Sequence, residues 1–143
     1  MQDICELEIV WSSPVPDVAL LRPKGPLPSE SLHLEASELT IGTGTPVQLC
    51  GFPNHSAGKT LSRYDTSVVN SYNYKTFRHY EVAQNIRKGN SGGPVLDETC
   101  RLIGVAKEGS TQSGGNNAVL SIEEVSRLNE MFVVTPWVAT GIG

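Results

Sequence analysis

The sequence contains few of the residues that mark disulfide-stabilised, metal-binding or membrane-spanning proteins. Only three cysteines occur among 143 residues, and none of them forms a CxxC pair. This pattern excludes a disulfide scaffold and a zinc finger, and we expect no metal site and no cofactor. No uncharged stretch offers the roughly eighteen apolar residues that a membrane span needs, so we expect no membrane partner.

An excess of positive charge is also missing. Lysine and arginine total 11 against 15 aspartates and glutamates, which gives a net charge of -4. A chain with this balance has no basic field to hold a nucleic-acid backbone, and we expect no nucleic-acid partner. No basic segment leads into an apolar run near the first residue, as a signal peptide requires. Together with the scattered cysteines, this predicts a cytoplasmic location.

Glycine and proline, in contrast, are abundant, with 14 and 9 copies. The apolar segments between them are short and are bounded by Gly, Pro, Asn or Asp, which is typical of an all-β sandwich or barrel. The predicted strands span residues 5–11, 18–21, 46–50, 67–69, 76–83, 94–96 and 102–106.

One helix is predicted to begin at Ser121, where Ser-Ile-Glu-Glu fits the capping box. Four apolar residues at helical spacing share one face: Ile122, Val125, Leu128 and Met131. The most proline-rich stretch, residues 23–31, indicates an extended connection between two structural units.

The sharpest motif is Gly-Asn-Ser-Gly-Gly-Pro at residues 89–94, followed by the apolar pair Val95-Leu96. Glycines around a single serine allow a tight turn that exposes the hydroxyl and directs successive N–H groups into one concavity, which suits an oxyanion. The alternative is an ordinary glycine-rich hairpin loop. From average composition, six specified positions match by chance at about 10⁻⁷ per window, which favours the functional interpretation.

This motif resembles the nucleophile loop of the trypsin/chymotrypsin-like serine peptidases, and residues 102–105 resemble the strand that follows it in that family. Residues 16–21, Pro-Asp-Val-Ala-Leu-Leu, resemble the segment that carries the family's triad aspartate. Residues 47–53 and 116–125 extend the similarity over most of the chain.

The resemblance implies an all-β, chymotrypsin-like double antiparallel β-barrel with a short C-terminal helix. We expect the second barrel to be complete and the first to be partial. Residues 1–27 would form the last strands of the N-terminal barrel, residues 28–131 the C-terminal barrel with its helix, and residues 132–143 a tail.

The resemblance also assigns roles to residues. Ser91 is expected to be the nucleophile and Asp17 the carboxylate that orients an imidazole. The backbone N–H groups of Gly89 and Ser91 are expected to form the oxyanion hole.

A substrate-binding pocket follows from the same resemblance. Asn85 is expected at its base, Lys107 and Gly109 on one wall, and Ala118 near the back. Because Asn85 is uncharged, the pocket base offers no counter-ion for a lysine or arginine side chain, and trypsin-like cleavage specificity is not expected.

The general-base histidine of this family precedes the aspartate, yet none of the 16 residues before Asp17 is a histidine. The three histidines, His33, His55 and His79, follow it, and each fits an ordinary loop or strand histidine better than a displaced base. We therefore expect a missing N-terminal segment to supply the histidine.

Two functions stay open. The first is a serine endopeptidase domain that hydrolyses protein or peptide substrates through an acyl-enzyme on Ser91, present here as a fragment that is inactive alone. The second is a catalytically inactive pseudopeptidase that binds peptides or proteins. The intact serine motif and the retained Asp17 favour the enzyme, since a binding module needs neither.

Overall fold

The computed structural model describes residues 5–27, 33–52, 60–86, 89–107 and 117–132. These ranges contain strands β1 Leu7–Ser13, β2 Val18–Pro23, β3 Pro46–Gly51, β4 Ser62–Tyr74, β5 Phe77–Val82, β6 Pro94–Asp97, β7 Leu102–Ala106 and β8 Ala118–Ser121, and helix α1 Ile122–Phe132. Within them, no helix is long and apolar enough to cross a membrane. No group of three His, Cys, Asp or Glu side chains in these ranges is placed to hold a metal ion.

Strands β3 to β8 form a closed barrel in the order β3-β4-β5-β8-β7-β6, and all of the neighbouring strands are antiparallel. Its interior is filled by alternate aliphatic side chains, among them Val47, Leu49, Val68, Val95 and Val119. Full burial of a valine or leucine side chain contributes about 1.5–3 kcal/mol, so this interior is a main source of stability. The predicted all-β class with a barrel and one C-terminal helix is confirmed.

Strand β4 is much longer than the sequence indicates, since only residues 67–69 were expected to be extended. Val68 is buried, but most of the other β4 side chains are polar and partly exposed, so no apolar run marks the strand. The two-residue turn Lys75-Thr76 joins β4 to β5 with φ values of 48° and 73°. Positive φ at both central residues is the geometry of a type I′ hairpin turn, formed here without asparagine or glycine.

Strands β1 and β2 form a separate two-stranded antiparallel sheet. On one face, Trp11 lies opposite Leu20, and both pack with α1 in a second apolar cluster. On the other face, Ile9 lies opposite Leu21. Ile9 is 68% exposed and Leu21 is 43% exposed, so this face of the hairpin is open and apolar.

Helix α1 begins directly after β8, where the Ser121 hydroxyl accepts a hydrogen bond from the Glu123 N–H at 3.3 Å, as an N-cap does. Three of the four predicted apolar positions are buried: Ile122, Val125 and Leu128. The fourth, Met131, is 68% exposed. Asn129 is buried instead, and its Oδ1 accepts a hydrogen bond from Trp11 Nε1 at 3.2 Å. The helix therefore contacts both the barrel and the hairpin.

Candidate active site

The serine motif forms a tight turn before β6, here called the nucleophile loop (residues 89–94), with Ser91 exposed. Gly89 has a φ of 101° and Gly92 a φ of 85°, values that only glycine adopts without strain. Gly92 N donates to Ala106 O at 2.7 Å, and Ala106 N donates to Gly93 O at 2.9 Å. These bonds attach the loop to the end of β7 and leave the Ser91 hydroxyl at the surface.

Asn90, the second residue of the nucleophile loop, is packed against the end of β3. Its side chain is 2% exposed and lies over Gly51, where a Cβ atom would come within 2.3 Å of Asn90 Oδ1 and 2.7 Å of Gly89 O. Phe52 N also donates to Gly89 O at 3.0 Å. Among the residues described, Asn90 Oδ1 is buried without a hydrogen-bond partner. Close packing against the end of β3 therefore positions Asn90, and it requires glycine at position 51.

Asp17 occupies the turn between β1 and β2. The residue is exposed and has a φ of 57°, in the left-handed region that aspartate tolerates better than most residues. Pro16 before it is fully buried, which fixes one side of the turn. The Asp17 carboxylate is close enough to Lys107 to favour the charged form of that lysine.

Lys107 directly follows β7 and is half-buried. Burial lowers the pKa of Lys107, while the Asp17 carboxylate acts in the opposite direction. The Lys107 Nζ atom lies 3.2 Å from His79 Nε2. The ammonium is thus turned towards His79, and Lys107 connects the end of β7 with the β5 histidine.

His79 is 1% exposed, and its Nδ1 lies 2.9 Å from the carbonyl oxygen of Phe77. Burial lowers the pKa of His79 below its ordinary value of 6.5, and the nearby Lys107 charge lowers it further. Both ring nitrogens are engaged, so neither is available to take a proton from Ser91. Of the other two histidines, His33 is exposed and His55 lies outside the described residues.

Two of the predicted pocket residues, Lys107 and Ala118, are bonded to each other, and a third, Asn85, is bonded to Asn117, which sequence reasoning missed. Asn117 Nδ2 donates to Asn85 Oδ1 at 3.5 Å, and Lys107 N donates to Ala118 O at 2.8 Å. Ala118 is 3% exposed, so its side chain packs inside the protein. Gly109 lies outside the described residues.

Residues 3–105 match a family model described as a trypsin-like peptidase domain. Curated relatives include the "Probable periplasmic serine endoprotease DegP-like" of Pseudomonas putida strain GB-1, which is 32% identical over 122 residues, or 80% of this chain and 24% of the relative. The protein of the same name in Pseudomonas fulva strain 12-X is 31% identical over the same shares of both chains. The chain therefore spans about a quarter of the length of the curated relatives it matches.

Solved structures share the fold at lower identity. The active form of the Rv3671c protease from M. tuberculosis superposes with a TM-score of 0.70 at 22% identity, covering 96% of this chain and 63% of that one. The HtrA-type protease AlgW, solved with a decapeptide, superposes with a TM-score of 0.69 at 21% identity. The match covers 89% of this chain and 40% of that one. These likenesses confirm the fold expected from the nucleophile-loop resemblance.

The cytoplasmic location expected from the sequence is wrong, because the curated relatives are named as periplasmic proteins. That expectation was based on two absences in the sequence: a recognisable signal peptide and a cysteine pattern typical of disulfides. A chain that spans about a quarter of its relatives' length carries no information about export at its first residues.

Proposed function

Because this chain belongs to the trypsin-like peptidase domain family, we propose that it is the part of a serine endopeptidase that carries the nucleophile Ser91 and the triad carboxylate Asp17. The Ser91 hydroxyl attacks the carbonyl carbon of a peptide bond, the amine leaves, and water hydrolyses the acyl-enzyme. The N–H groups of Gly89 and Ser91 stabilise the oxyanion. The observation that carries this proposal is the exposed Ser91 hydroxyl on a turn with two positive-φ glycines that is bonded to β7.

The general base comes, in this proposal, from a histidine in a segment upstream of residue 1. His79 has both nitrogens engaged, which removes the more buried of the two described histidines as a candidate. The open face of the β1–β2 hairpin supports additional strands, because an isolated two-stranded sheet is marginally stable. Ile9, at 68% exposure, is the side chain that such strands would cover first.

The proposed substrates are proteins or peptides, as the decapeptide in the AlgW structure illustrates for that protease. Asn85 lies at the surface beside Asn117 and offers amide groups rather than a charge to an incoming side chain. We also place the working protein in the periplasm, in line with the names of its curated relatives.

Fluorophosphonate labelling tests the proposal, since this reagent reacts with an activated serine hydroxyl. A longer polypeptide that restores the upstream histidine should be labelled at Ser91, and Ser91→Ala should abolish labelling. Ser12→Ala, which alters another exposed serine, is the matched control and should label normally. Asp17→Asn should slow turnover of a peptide substrate by up to about 10⁴-fold, the effect of losing the orienting carboxylate in such a triad.

A binding module without catalysis is the second candidate. It is favoured by one observation: the ring nitrogens of the buried His79 face Phe77 O and Lys107 Nζ rather than Asp17 or Ser91. In that case the longer polypeptide binds unfolded peptides but shows no labelling of Ser91. Complete absence of labelling with the upstream histidine present would sink the peptidase proposal.

A further inference from the structure

Asn117, the residue directly before β8, holds the chain segment that carries Asn85. It is half-buried. Its backbone O accepts a hydrogen bond from Val82 N at 3.1 Å, and its side-chain Oδ1 accepts one from Ile86 N at 3.0 Å. Its Nδ2 donates to Asn85 Oδ1 at 3.5 Å. One residue thus binds both ends of the segment 82–86, which leaves β5 and leads to the nucleophile loop.

The segment 82–86 is also anchored by other contacts. Gln84 N donates to Thr66 Oγ1 at 3.0 Å. The Ile86 side chain is 6% exposed and packs in the barrel interior, and the nucleophile loop begins three residues later. The backbone is therefore fixed on both sides of Asn85, whose exposed side chain starts from a defined position.

The next residue joins Asn117 to the other wall of the expected pocket. Ala118 O accepts a hydrogen bond from Lys107 N at 2.8 Å. Lys107 follows Ala106, whose N–H and C=O groups bond to the nucleophile loop at 2.9 Å and 2.7 Å. Asn117 and Ala118 therefore connect the segment 82–86 to the end of β7 by hydrogen bonds, next to the loop that carries the nucleophile.

Hydrogen-bond chemistry determines which way the two amide side chains face. The Ile86 N–H can only donate, so the Asn117 atom that faces it is the acceptor Oδ1. The other end of this planar amide, Nδ2, can only donate, so Asn85 must turn its Oδ1 towards it. The separation of 3.5 Å is long for a hydrogen bond, but the reverse orientation would set two NH₂ groups against each other. The NH₂ group of Asn85 is thus turned away from Asn117.

We propose that Asn117 is a positioning residue that sets substrate specificity: it holds Asn85 so that the Asn85 amide presents N–H donors to the side chain before the scissile bond. The inference rests on the proposed function, in which Asn85 lies at the base of the substrate pocket. Donors at this base favour a side chain with an acceptor oxygen over an aliphatic one of the same shape, which leaves the donors unpaired. The substrates are thus polypeptides cleaved after an acceptor-bearing side chain.

The test uses the longer polypeptide with the upstream histidine and a pair of peptidyl phosphonate esters, which react with an activated serine. One ester carries the side chain of O-methylserine at the position before the reacting group, and the other carries that of norvaline. The two side chains have the same shape and differ in one ether oxygen, which accepts but cannot donate. The wild type should react with the first ester about two- to tenfold faster, the effect of one net hydrogen bond.

Substitutions at Asn117 should change this preference in a defined order. Asn117→Leu removes the amide that orients Asn85, so the preference should disappear. Asn117→Asp keeps an acceptor for the Ile86 N–H but loses the donor, so Asn85 turns its NH₂ group to the carboxylate and the preference should reverse. Asn73→Asp is the matched control, because it makes the same change at an exposed site at the hairpin end of β4. It should keep the wild-type preference.

A double substitution shows whether Asn117 acts through Asn85. Asn85→Leu alone should abolish the preference, and adding Asn117→Asp to it should produce no reversal. Each preference is a ratio of two rates measured on one protein sample, so a loss of folded protein does not change it.

The possible results separate this inference from the proposed function. If a simple fluorophosphonate labels the wild type but the two esters react equally, the donor-presenting pocket is refuted. If Asn117→Asp slows both esters in proportion, Asn117 is purely structural and its role in specificity is refuted. If no reagent labels the wild type, the proposed function fails. Calorimetry with two peptides that end in O-methylserine or norvaline then decides the pocket: tighter binding of the first supports it, and equal binding refutes it.

Discussion

Replacing Gly51 by alanine should displace the nucleophile loop, although Gly51 itself has no proposed role on substrate. The added Cβ would lie 2.3 Å from Asn90 Oδ1, 2.7 Å from Gly89 O and 2.9 Å from Asn90 Cα. The amide group of Asn90 could rotate, but the Gly89 carbonyl and the Asn90 Cα belong to the backbone. The loop itself, or the end of β3, must therefore move.

The expected cost follows from this geometry. Inserting a methyl group into a packed site typically costs about 1–3 kcal/mol, and two backbone contacts place this site in the upper half of that range. A domain of this size loses about 3–4 °C in Tm per kcal/mol, so Gly51→Ala should unfold roughly 6–12 °C below the wild type. In the longer polypeptide, labelling of Ser91 should slow as well, because the oxyanion donors move with the loop.

Gly42→Ala is the matched control, since its Cβ would meet no atom within 4 Å. Its unfolding free energy should change by less than about 1 kcal/mol. Thermal unfolding followed by circular dichroism compares the two variants. Equal midpoints for Gly51→Ala and Gly42→Ala would show that Asn90 does not pack on Gly51 as described.

Two further predictions concern the barrel. Leu49 is 0% exposed, so Leu49→Ala should lower the free energy of unfolding, measured in urea, by about 2–5 kcal/mol. Leu39→Ala, at an exposed site, should change it by about 0.5 kcal/mol or less. Similar values for the two variants would contradict the assigned core. Asp97 is buried, which by itself raises its pKa, but hydrogen bonds from Ser37, Thr99 and Arg101 outweigh this and leave the pKa below its ordinary value of 3.8. Since the folded-state pKa is the lower one, Asp97 stabilises the protein above about pH 4 and loses this effect as the pH falls further, so wild-type stability should drop more steeply from pH 5 to pH 3 than that of Asp97→Asn. Parallel pH curves for the two proteins would refute this role of Asp97.

Much of the fold could be predicted because the barrel strands are short apolar runs between turn residues. Residues 46–50, 94–96 and 102–106 were placed within one residue of β3, β6 and β7. The full length of strand β4 could not be predicted, because the strand is stabilised by backbone pairing with β3 and β5 rather than by an apolar face. Its turn at Lys75-Thr76 uses positive φ at residues that rarely adopt it.

In the candidate site, the local motif was visible and the supporting contacts were not. The glycines and Ser91 are adjacent in sequence, so their turn could be inferred from residue type. Gly51 lies 39 positions before Asn90, and Lys107 lies 28 positions after His79. Contacts of this range depend on how strands pair around the barrel, and no pattern within a single segment encodes them. The same holds for Asn129, a polar residue that α1 buries only because Trp11 supplies its partner.

The position of α1 has a consequence for how the site could be assembled. The helix packs on Trp11 and Leu20 of the hairpin and, in the same cluster, on Leu96 and Leu102 of the barrel. The strands that present Asp17 and the loop that presents Ser91 are thus joined by side-chain contacts through α1 as well as by the chain itself. A polypeptide cut between β2 and β3 is therefore a candidate for fragment complementation. In that experiment, two separately made pieces would associate through the apolar face of α1 and reassemble the candidate active site.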